Sequence, residues 1–315
     1  MITKDLYRRL IDIRAHAPEK VLELARRRRR RPLLVPYEKL SEPNVGGDRL
    51  FLVAADHPAR GAIGVGDDPL RMADRRDLLS RLSIALSHPG VDGLLATPDV
   101  IEDLLLLGSL TGSSLLDNKV VFGSMNRGGL AGSAWELDDP ITAYHAAGIY
   151  RMNLDGGKLL LRIDRQDPNS LKTIYQCARG IRILASQKVP VAVMLEPLPA
   201  YRDRDGVLRI DTSPEALIGV ITIASGLGPT SAYTWLKLPP PSSNPMAVFA
   251  ASTLPVLLLG GDPGDRGEEL LTSWEEAMQA PTVRGLVAGR SLIYPADDDV
   301  GGWVDRAARI VHPRI

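Results

Sequence analysis

The stretch Tyr233-Thr234-Trp235-Leu236-Lys237-Leu238-Pro239 is short, apolar and bounded by turn residues, as a strand buried on both faces should be. Runs of the same kind recur along the chain: Leu50–Ala55, Val91–Thr97, Lys119–Gly123, Lys158–Ile163, Val189–Leu195, Thr234–Leu238, Pro255–Leu259 and Gly285–Ala288. Longer amphipathic stretches with helical periodicity separate them, among them Asp74–Ser87, Pro140–Asn153, Asn169–Gln187 and Glu268–Met278. Eight buried strands alternating with helices over about 250 residues predict an α/β fold, a closed (β/α)8 TIM barrel. An open doubly wound sheet gives a similar alternation but carries a phosphate-binding fingerprint after its first strand. Here Gly64-Val65-Gly66-Asp67-Asp68-Pro69 fails at its last position. Gly156-Gly157-Lys158-Leu159 lacks the Ser or Thr and the earlier glycine of a P-loop.

Working outward, two helical stretches, about Lys4–Ala15 and Glu19–Arg28, and a polar loop from Lys39 to Asp48 precede the first run. Residues 1–48 are therefore read as an N-terminal helical extension and 49–315 as the barrel domain. Six consecutive arginines, Arg26–Arg31, end at Pro32. They fit a polyanion-binding tail, but the helical pattern of Ala17–Ala25 favours a solvated helix end, where cations suit the dipole. Lys+Arg and Asp+Glu are each 38 in 315 residues, and that balance argues against nucleic-acid or membrane-surface partners. The single cysteine, Cys177, allows no intrachain disulfide and no cysteine metal site. His16, His57, His88, His145 and His312 show no metal-ligand spacing, and no Gly-x-Ser-x-Gly elbow is present. Neither a metal nor an organic cofactor is expected. The first residues lack a signal-peptide apolar region and no run approaches a membrane span, so a soluble cytoplasmic protein is expected.

In such a barrel, catalytic groups sit at the C-terminal ends of the strands. Lys237 lies in run six, Glu196 ends run five, Lys158 opens run four, and Asp56 and His57 follow run one. A buried lysine needs a partner or a task, and desolvation favours the neutral amine that attacks a carbonyl. Lys158 as a neighbouring cation acts in the same direction, while Glu196 balances charge and shuttles protons. A snorkelling edge-strand Lys237 and a structural Lys158–Glu196 ion pair are the alternative readings. Asp56 polarises water or holds Lys237, or serves only as a helix N-cap. Runs seven and eight end in Gly260-Gly261 and Gly289-Arg290, where a barrel commonly binds phosphate on backbone N–H groups. Arg290 adds a charge-assisted contact.

At these residues the chain resembles the class I, lysine-dependent bacterial tagatose-bisphosphate aldolases and the archaeal-type fructose-bisphosphate aldolases. The likeness runs from about Leu50 to Tyr294. It rests on Ala54-Ala55-Asp56-His57, Lys158-Leu159-Leu160-Leu161, Leu195-Glu196-Pro197, Trp235-Leu236-Lys237-Leu238-Pro239, Gly260-Gly261 and Gly289-Arg290. The resemblance implies a covalent Schiff-base role for Lys237, proton transfer by Lys158 and Glu196, and an acid role for Tyr201. The stretch Asp155-Gly156-Gly157-Lys158-Leu159-Leu160-Leu161-Arg162 is also similar to an actinobacterial branch associated with inositol breakdown. That association implies 2-deoxy-5-keto-gluconate 6-phosphate as a substrate. The chain departs from the family at Pro58-Ala59, at Pro239-Pro240-Pro241 and at Asn126-Arg127-Gly128-Gly129, where Arg127 is read as binding a second anionic group. The resulting expectation is a metal-independent aldolase acting on a phosphorylated ketose or keto acid, with homo-oligomerisation open. Another Schiff-base lyase or transferase, a non-catalytic sugar-phosphate sensor, and nucleic-acid binding through Arg26–Arg31 are its rivals.

Overall fold

The computed structural model describes residues 2–34, 36–39, 47–187, 191–261 and 267–313. Most of the expected polar loop before the first run, residues 40–46, and the expected strand start at Val189 lie outside the described residues. Nine strands follow in order: β1 (Leu50–Ala55), β2 (Gly93–Ala96), β3 (Val120–Ser124), β4 (Gly156–Ile163), β5 (Ala192–Arg202), β6 (Leu208–Ile210), β7 (Thr234–Leu238), β8 (Val256–Leu259) and β9 (Val283–Ala288). All but β6 pair in parallel around a closed ring, with β9 returning to β1 and β4 joined to β5. Each apolar run of the sequence supplies one of the eight barrel strands. Helices, including Arg75–Ser87, Pro98–Thr111, Asn169–Ala185 and Pro214–Ser225, cover the outside. Among the described residues no helix is long and apolar enough to cross a membrane.

Because side chains alternate along a strand, each barrel strand feeds two cores. Phe51, Val53, Leu94, Leu195 and Leu236 face the helices. Leu50, Leu52, Leu95, Phe122, Met194 and Leu257 fill the barrel interior. Gly156 shows how tightly that interior is filled, since a methyl group there would stand 2.3 Å from the Phe122 ring and 2.6 Å from the Ala192 carbonyl oxygen.

Two elements differ from the sequence expectation for identifiable reasons. The helix expected over Pro140–Asn153 is only Ala146–Arg151. Ahead of it, Ala143 and Tyr144 donate their N–H groups to Met125 and Ser124 carbonyls, 2.9 and 3.1 Å away, so they continue the edge of β3 instead. Glu196 does not end its strand, for β5 runs on to Arg202 and turns back antiparallel into β6. Val193 donates to Tyr233 on the β7 side, so Pro197 and Pro199, at the same parity, direct their missing N–H groups there as well. Pairing with β7 accordingly stops at Leu195–Leu236, while pairing with β4 continues to Pro199. The free end of β5 and the β6 strand rise above the rim as a hairpin.

The N-terminal extension closes the opposite end. Helices α1 (Lys4–His16) and α2 (Lys20–Arg27) pack outside, and the chain leaves α2 extended at Arg28. The expected solvated helix end holds for Arg26 and Arg27, exposed in the last turn of α2, and is corrected for Arg28 to Arg31, which lie beyond the helix and face carboxylates. Arg28 and Arg30 both reach Asp155, at 2.9 and 2.6 Å, Arg29 reaches Asp117 at 3.1 Å and Arg31 reaches Asp92 at 2.5 Å. Arg28 also donates to the carbonyls of Lys119 and Asn153. Asp92, Lys119 and Asp155 immediately precede β2, β3 and β4, which places this clamp at the N-terminal mouth of the barrel. Leu33 and Leu34 then pack on the inner core.

The Arg28 and Asp155 side chains are 1 % and 0 % exposed. Removing one member of a buried ion pair strands the other charge. Arg28→Ala is expected to lower unfolding free energy by about 3 kcal/mol, measured from the urea midpoint. An unchanged midpoint would mean that Arg30 alone satisfies Asp155.

Candidate active site

On or just after four of the strands, β1, β4, β5 and β7, the inward face turns polar where the cavity begins. Two residues after the apolar or glycine position comes a polar one: Asp56 after Ala54, Lys158 after Gly156, Glu196 after Met194 and Lys237 after Trp235. These four side chains form a continuous chain of contacts. Lys237 Nζ lies 2.9 Å from Glu196 Oε1, Lys158 Nζ lies 2.5 Å from Glu196 Oε2, and Lys158 Nζ lies 3.2 Å from Asp56 Oδ2. Lys158 and Lys237 are only 2 % and 3 % exposed. Both are therefore buried and paired, and the snorkelling alternative for Lys237 does not describe it.

Arg127 enters from the segment after β3. Its Nη1 donates to Asp56 Oδ2 at 3.0 Å and its Nη2 to the Asp56 main-chain oxygen. Arg127, expected to bind a second anionic group, lines the cavity and is itself paired with Asp56. Counting Lys158, Lys237 and Arg127 against Asp56 and Glu196, three cations meet two anions. Burial pushes both carboxyls up, but the cations overcome it. Lys158 and Arg127 hold Asp56 well below the usual carboxylate range, and Lys158 with Lys237 brings Glu196 down to about 2. Burial lowers Lys158, against the pull of Asp56 and Glu196. His57 falls to about 3 through desolvation and the cations Arg290, Lys237 and Lys158, against Asp56. Its Nδ1 stands 3.8 Å from Asp56 Oδ1, beyond hydrogen-bond reach, and is buried without a hydrogen-bond partner among the described residues, so the neutral ring borders the cluster rather than adding a cation to it.

The cluster forms the floor of a cavity of about 760 Å³ at the C-terminal end of the strands. On the β8 and β9 side the cavity is lined by Gly260, Gly261, Gly289 and Arg290. Gly261 adopts φ +71°, a conformation that favours glycine. A methyl group on Gly289 would stand 2.5 Å from the Ala54 carbonyl oxygen, so this glycine also lets the end of β9 approach β1. Arg290 Nη1 donates to the Gly64 carbonyl at 3.3 Å. Tyr201 is not brought to the site. It lies past the rim opposite Arg209 in the hairpin and is 47 % exposed.

Sequence reasoning missed several walls of the cavity. Arg60, Glu136 and Arg162 line it, joined by an Arg162–Glu136 bridge of 2.5 Å. Arg162 was legible from parity, because it stands two pairs of residues beyond Lys158 on one strand face. Leu198, Leu208 and Ile210 of the hairpin form an apolar wall. Its signal was Asp205-Gly206 between alternating segments, with Gly206 at φ +77° and Asp203 Oδ1 accepting from the N–H groups of Asp205 and Val207.

The crystal structure of Cgl0159 from Corynebacterium glutamicum is 42 % identical to this chain, superposes with a TM-score of 0.90, and is matched over 100 % of this chain and 99 % of that one. A Schiff-base-forming fructose-1,6-bisphosphate aldolase shares the fold at 17 % identity and a TM-score of 0.59, over 93 % of this chain and 100 % of that one. Fructose-bisphosphate aldolase from Slackia heliotrinireducens does so at 15 % identity and a TM-score of 0.62, over 85 % and 82 %. No curated protein matches the chain. The model of the Cgl0159-like family matches residues 48–308, the whole barrel from the loop before β1 into the last helix. The chain belongs to the Cgl0159-like family.

Proposed function

We propose that this protein is a class I aldolase, a lyase that forms a Schiff base between Lys237 and the ketone of a phosphorylated ketose or keto acid. The observation that carries this reading is the unbroken contact chain Asp56–Lys158–Glu196–Lys237 on the cavity floor. Buried ion pairs are a poor means of stabilising a core, since apolar residues of similar volume do as well. Four such side chains exposed to a cavity at the catalytic end of a barrel point to chemistry rather than packing.

The chemistry starts when Lys237 gives up a proton through Glu196 and its free amine adds to the ketone carbon. Protonation of the resulting hydroxyl expels water and leaves a cationic iminium. Lys158 is suited to supply and recover that proton, because burial lowers its pKa and Glu196 joins it to Lys237. The hydroxyl proton on the carbon once removed from the iminium carbon's neighbour passes to a cavity carboxylate, Asp56 or Glu196. The carbon–carbon bond then breaks, an aldehyde leaves, and the electron pair is held as an enamine. The carboxyl that took the hydroxyl proton returns one to the enamine carbon next to the former ketone carbon, and addition of water to the regenerated iminium releases the second product and restores Lys237.

The glycine loops after β8 and β9, with Arg290, are assigned to the phosphate. Backbone N–H groups approach an anion closely where no side chain intervenes, and a guanidinium adds a charge-assisted contact. 2-Deoxy-5-keto-gluconate 6-phosphate is one substrate of this class, with its ketone beside the phosphorylated carbon. Tyr201 is left out of this scheme by its exposure at the hairpin.

Borohydride reduction in the presence of dihydroxyacetone phosphate is expected to leave a covalent adduct on the Lys237 peptide, absent in Lys237→Ala. An adduct on Lys158 would reverse the two lysine roles, and none with this ketone or a panel of keto acids would favour a binding protein without turnover. Glu196→Gln removes the group joining the two amines and is expected to slow trapping by roughly a hundredfold, read from the rate of adduct formation. Arg290→Ala should raise the half-saturating concentration of dihydroxyacetone phosphate about tenfold. Trapping of unphosphorylated dihydroxyacetone, measured in parallel, should be unaffected by that substitution.

A further inference from the structure

We infer that Arg127 is a positioning residue of this reaction, gripping Asp56 at two points so that its carboxylate stays aimed at Lys158. The inference rests on the aldolase reading above and adds to it a group outside the four-residue chain. The residues before Arg127 fix where its guanidinium starts. Met125 donates its N–H to the Lys158 carbonyl at 2.9 Å. The Asn126 side chain then acts as a substitute strand: its Nδ2 donates to the Leu160 carbonyl at 2.6 Å and its Oδ1 accepts from the Leu160 N–H at 2.8 Å. Arg127 itself donates its N–H to Thr142 Oγ1 at 3.1 Å. A stretch fastened to β4 on one side and to Thr142 on the other thus delivers a guanidinium to the end of β1.

What the guanidinium grips matters more than that it is buried. Asp56 Oδ2 receives Arg127 Nη1 at 3.0 Å, Lys158 Nζ at 3.2 Å and Ser124 Oγ at 3.4 Å. The second guanidinium nitrogen holds the Asp56 main-chain oxygen, fixing the backbone that carries the carboxylate. A planar fork can hold a side chain and its own backbone at once, whereas an ammonium is a point charge. Asp56 is faced by Lys158 from β4, Lys237 from β7, Arg127 from the segment after β3, and its neighbour His57. Arg127 is faced by Asp56, Arg60, Asp139 and Glu196. Of the cations around Asp56, Arg127 is the one that faces Glu196 only at longer range, whereas Lys158 and Lys237 both pair with Glu196 directly. Its loss leaves Asp56 easier to protonate, and a protonated Asp56 releases Lys158 from one of its two carboxylates.

The sign follows directly. A cation holds the Asp56 carboxyl low, so removing it raises that carboxyl and moves the acid-side loss of function to higher pH. The test is the pH dependence of borohydride trapping with dihydroxyacetone phosphate in wild type, Arg127→Gln and Arg127→Lys, with folding checked by circular dichroism. In Arg127→Gln the acid-side midpoint should rise by about one pH unit or more, with the half-saturating ketone concentration kept within about twofold. Arg127→Lys, which keeps the charge and loses the two-point grip, should return the midpoint most of the way. An unmoved midpoint in Arg127→Gln overturns the inference, whether the rate falls evenly at every pH or the half-saturating concentration rises instead. Should Arg127→Gln not fold, Arg127→Met, which also removes the charge, takes its place, and an unmoved midpoint there overturns the inference. If wild type itself forms no adduct, the aldolase reading fails separately. The positioning role is then read from the carbon-13 titration of the Asp56 carboxyl, where an unmoved midpoint in these variants sinks it.

Discussion

Glu196 holds two buried ammonium groups with one carboxylate, 2.9 Å from Lys237 and 2.5 Å from Lys158. Much of the upper barrel follows from what that arrangement requires. Charges removed from water must be paired at close range, and the pairing must be geometrically precise to offset desolvation. Three adjacent strands supply the three groups from rigid backbone, and Asp56 on a fourth completes the second carboxylate of Lys158. A loop could present the same residues, but it would let them separate and hydrate. The closed barrel keeps them within contact, with apolar layers directly beneath and helices outside.

The two ends of the barrel use charge differently. At the N-terminal end Arg28 and Arg30 share Asp155, and Asp155 Oδ2 also accepts the Val121 N–H at 2.8 Å. Arg28 and Asp155 are buried beneath the extension, with Arg30 reaching in from the surface, and none of the three lines the cavity described above. At the C-terminal end the paired charges face open space. The difference in surroundings, not in residue type, separates a clamp from a candidate site.

The barrel was legible because strands buried on both faces leave short apolar runs between turn residues, and every one of those runs became a strand. Lys158, Glu196 and Lys237 were legible for a related reason: a charge inside an apolar run has nowhere to go but the barrel interior. The hairpin was hidden because Pro197 and Pro199 read as strand breakers. They break pairing only toward β7, which the local sequence does not reveal. Arg26–Arg31 read as a solvated end because its partners, Asp92, Asp117 and Asp155, are 60 or more residues away in sequence. Arg127 was singled out from its departure from the family pattern, but its direction toward Asp56 depends on Asn126 holding Leu160, a tertiary contact with no local signature. Tyr201 was named from the resemblance, and the hairpin carries it to an exposed position opposite Arg209.

On the proposed reading, the charge count of the cluster bears on the covalent step itself. A resting Lys237 ammonium and an iminium at the same nitrogen each carry one positive charge. Glu196 therefore faces the same charge before the ketone binds and after water has left. A preorganised carboxylate that fits both states needs little reorganisation between them, which is how fixed dipoles and charges lower a barrier in a water-poor site. Arg127 brings the cluster to three cations against two anions, and the surplus positive charge lies in a cavity assigned to an anionic substrate. A phosphate held by the loops after β8 and β9 would bring negative charge toward that surplus, which favours an anionic over a neutral ketone at the cluster.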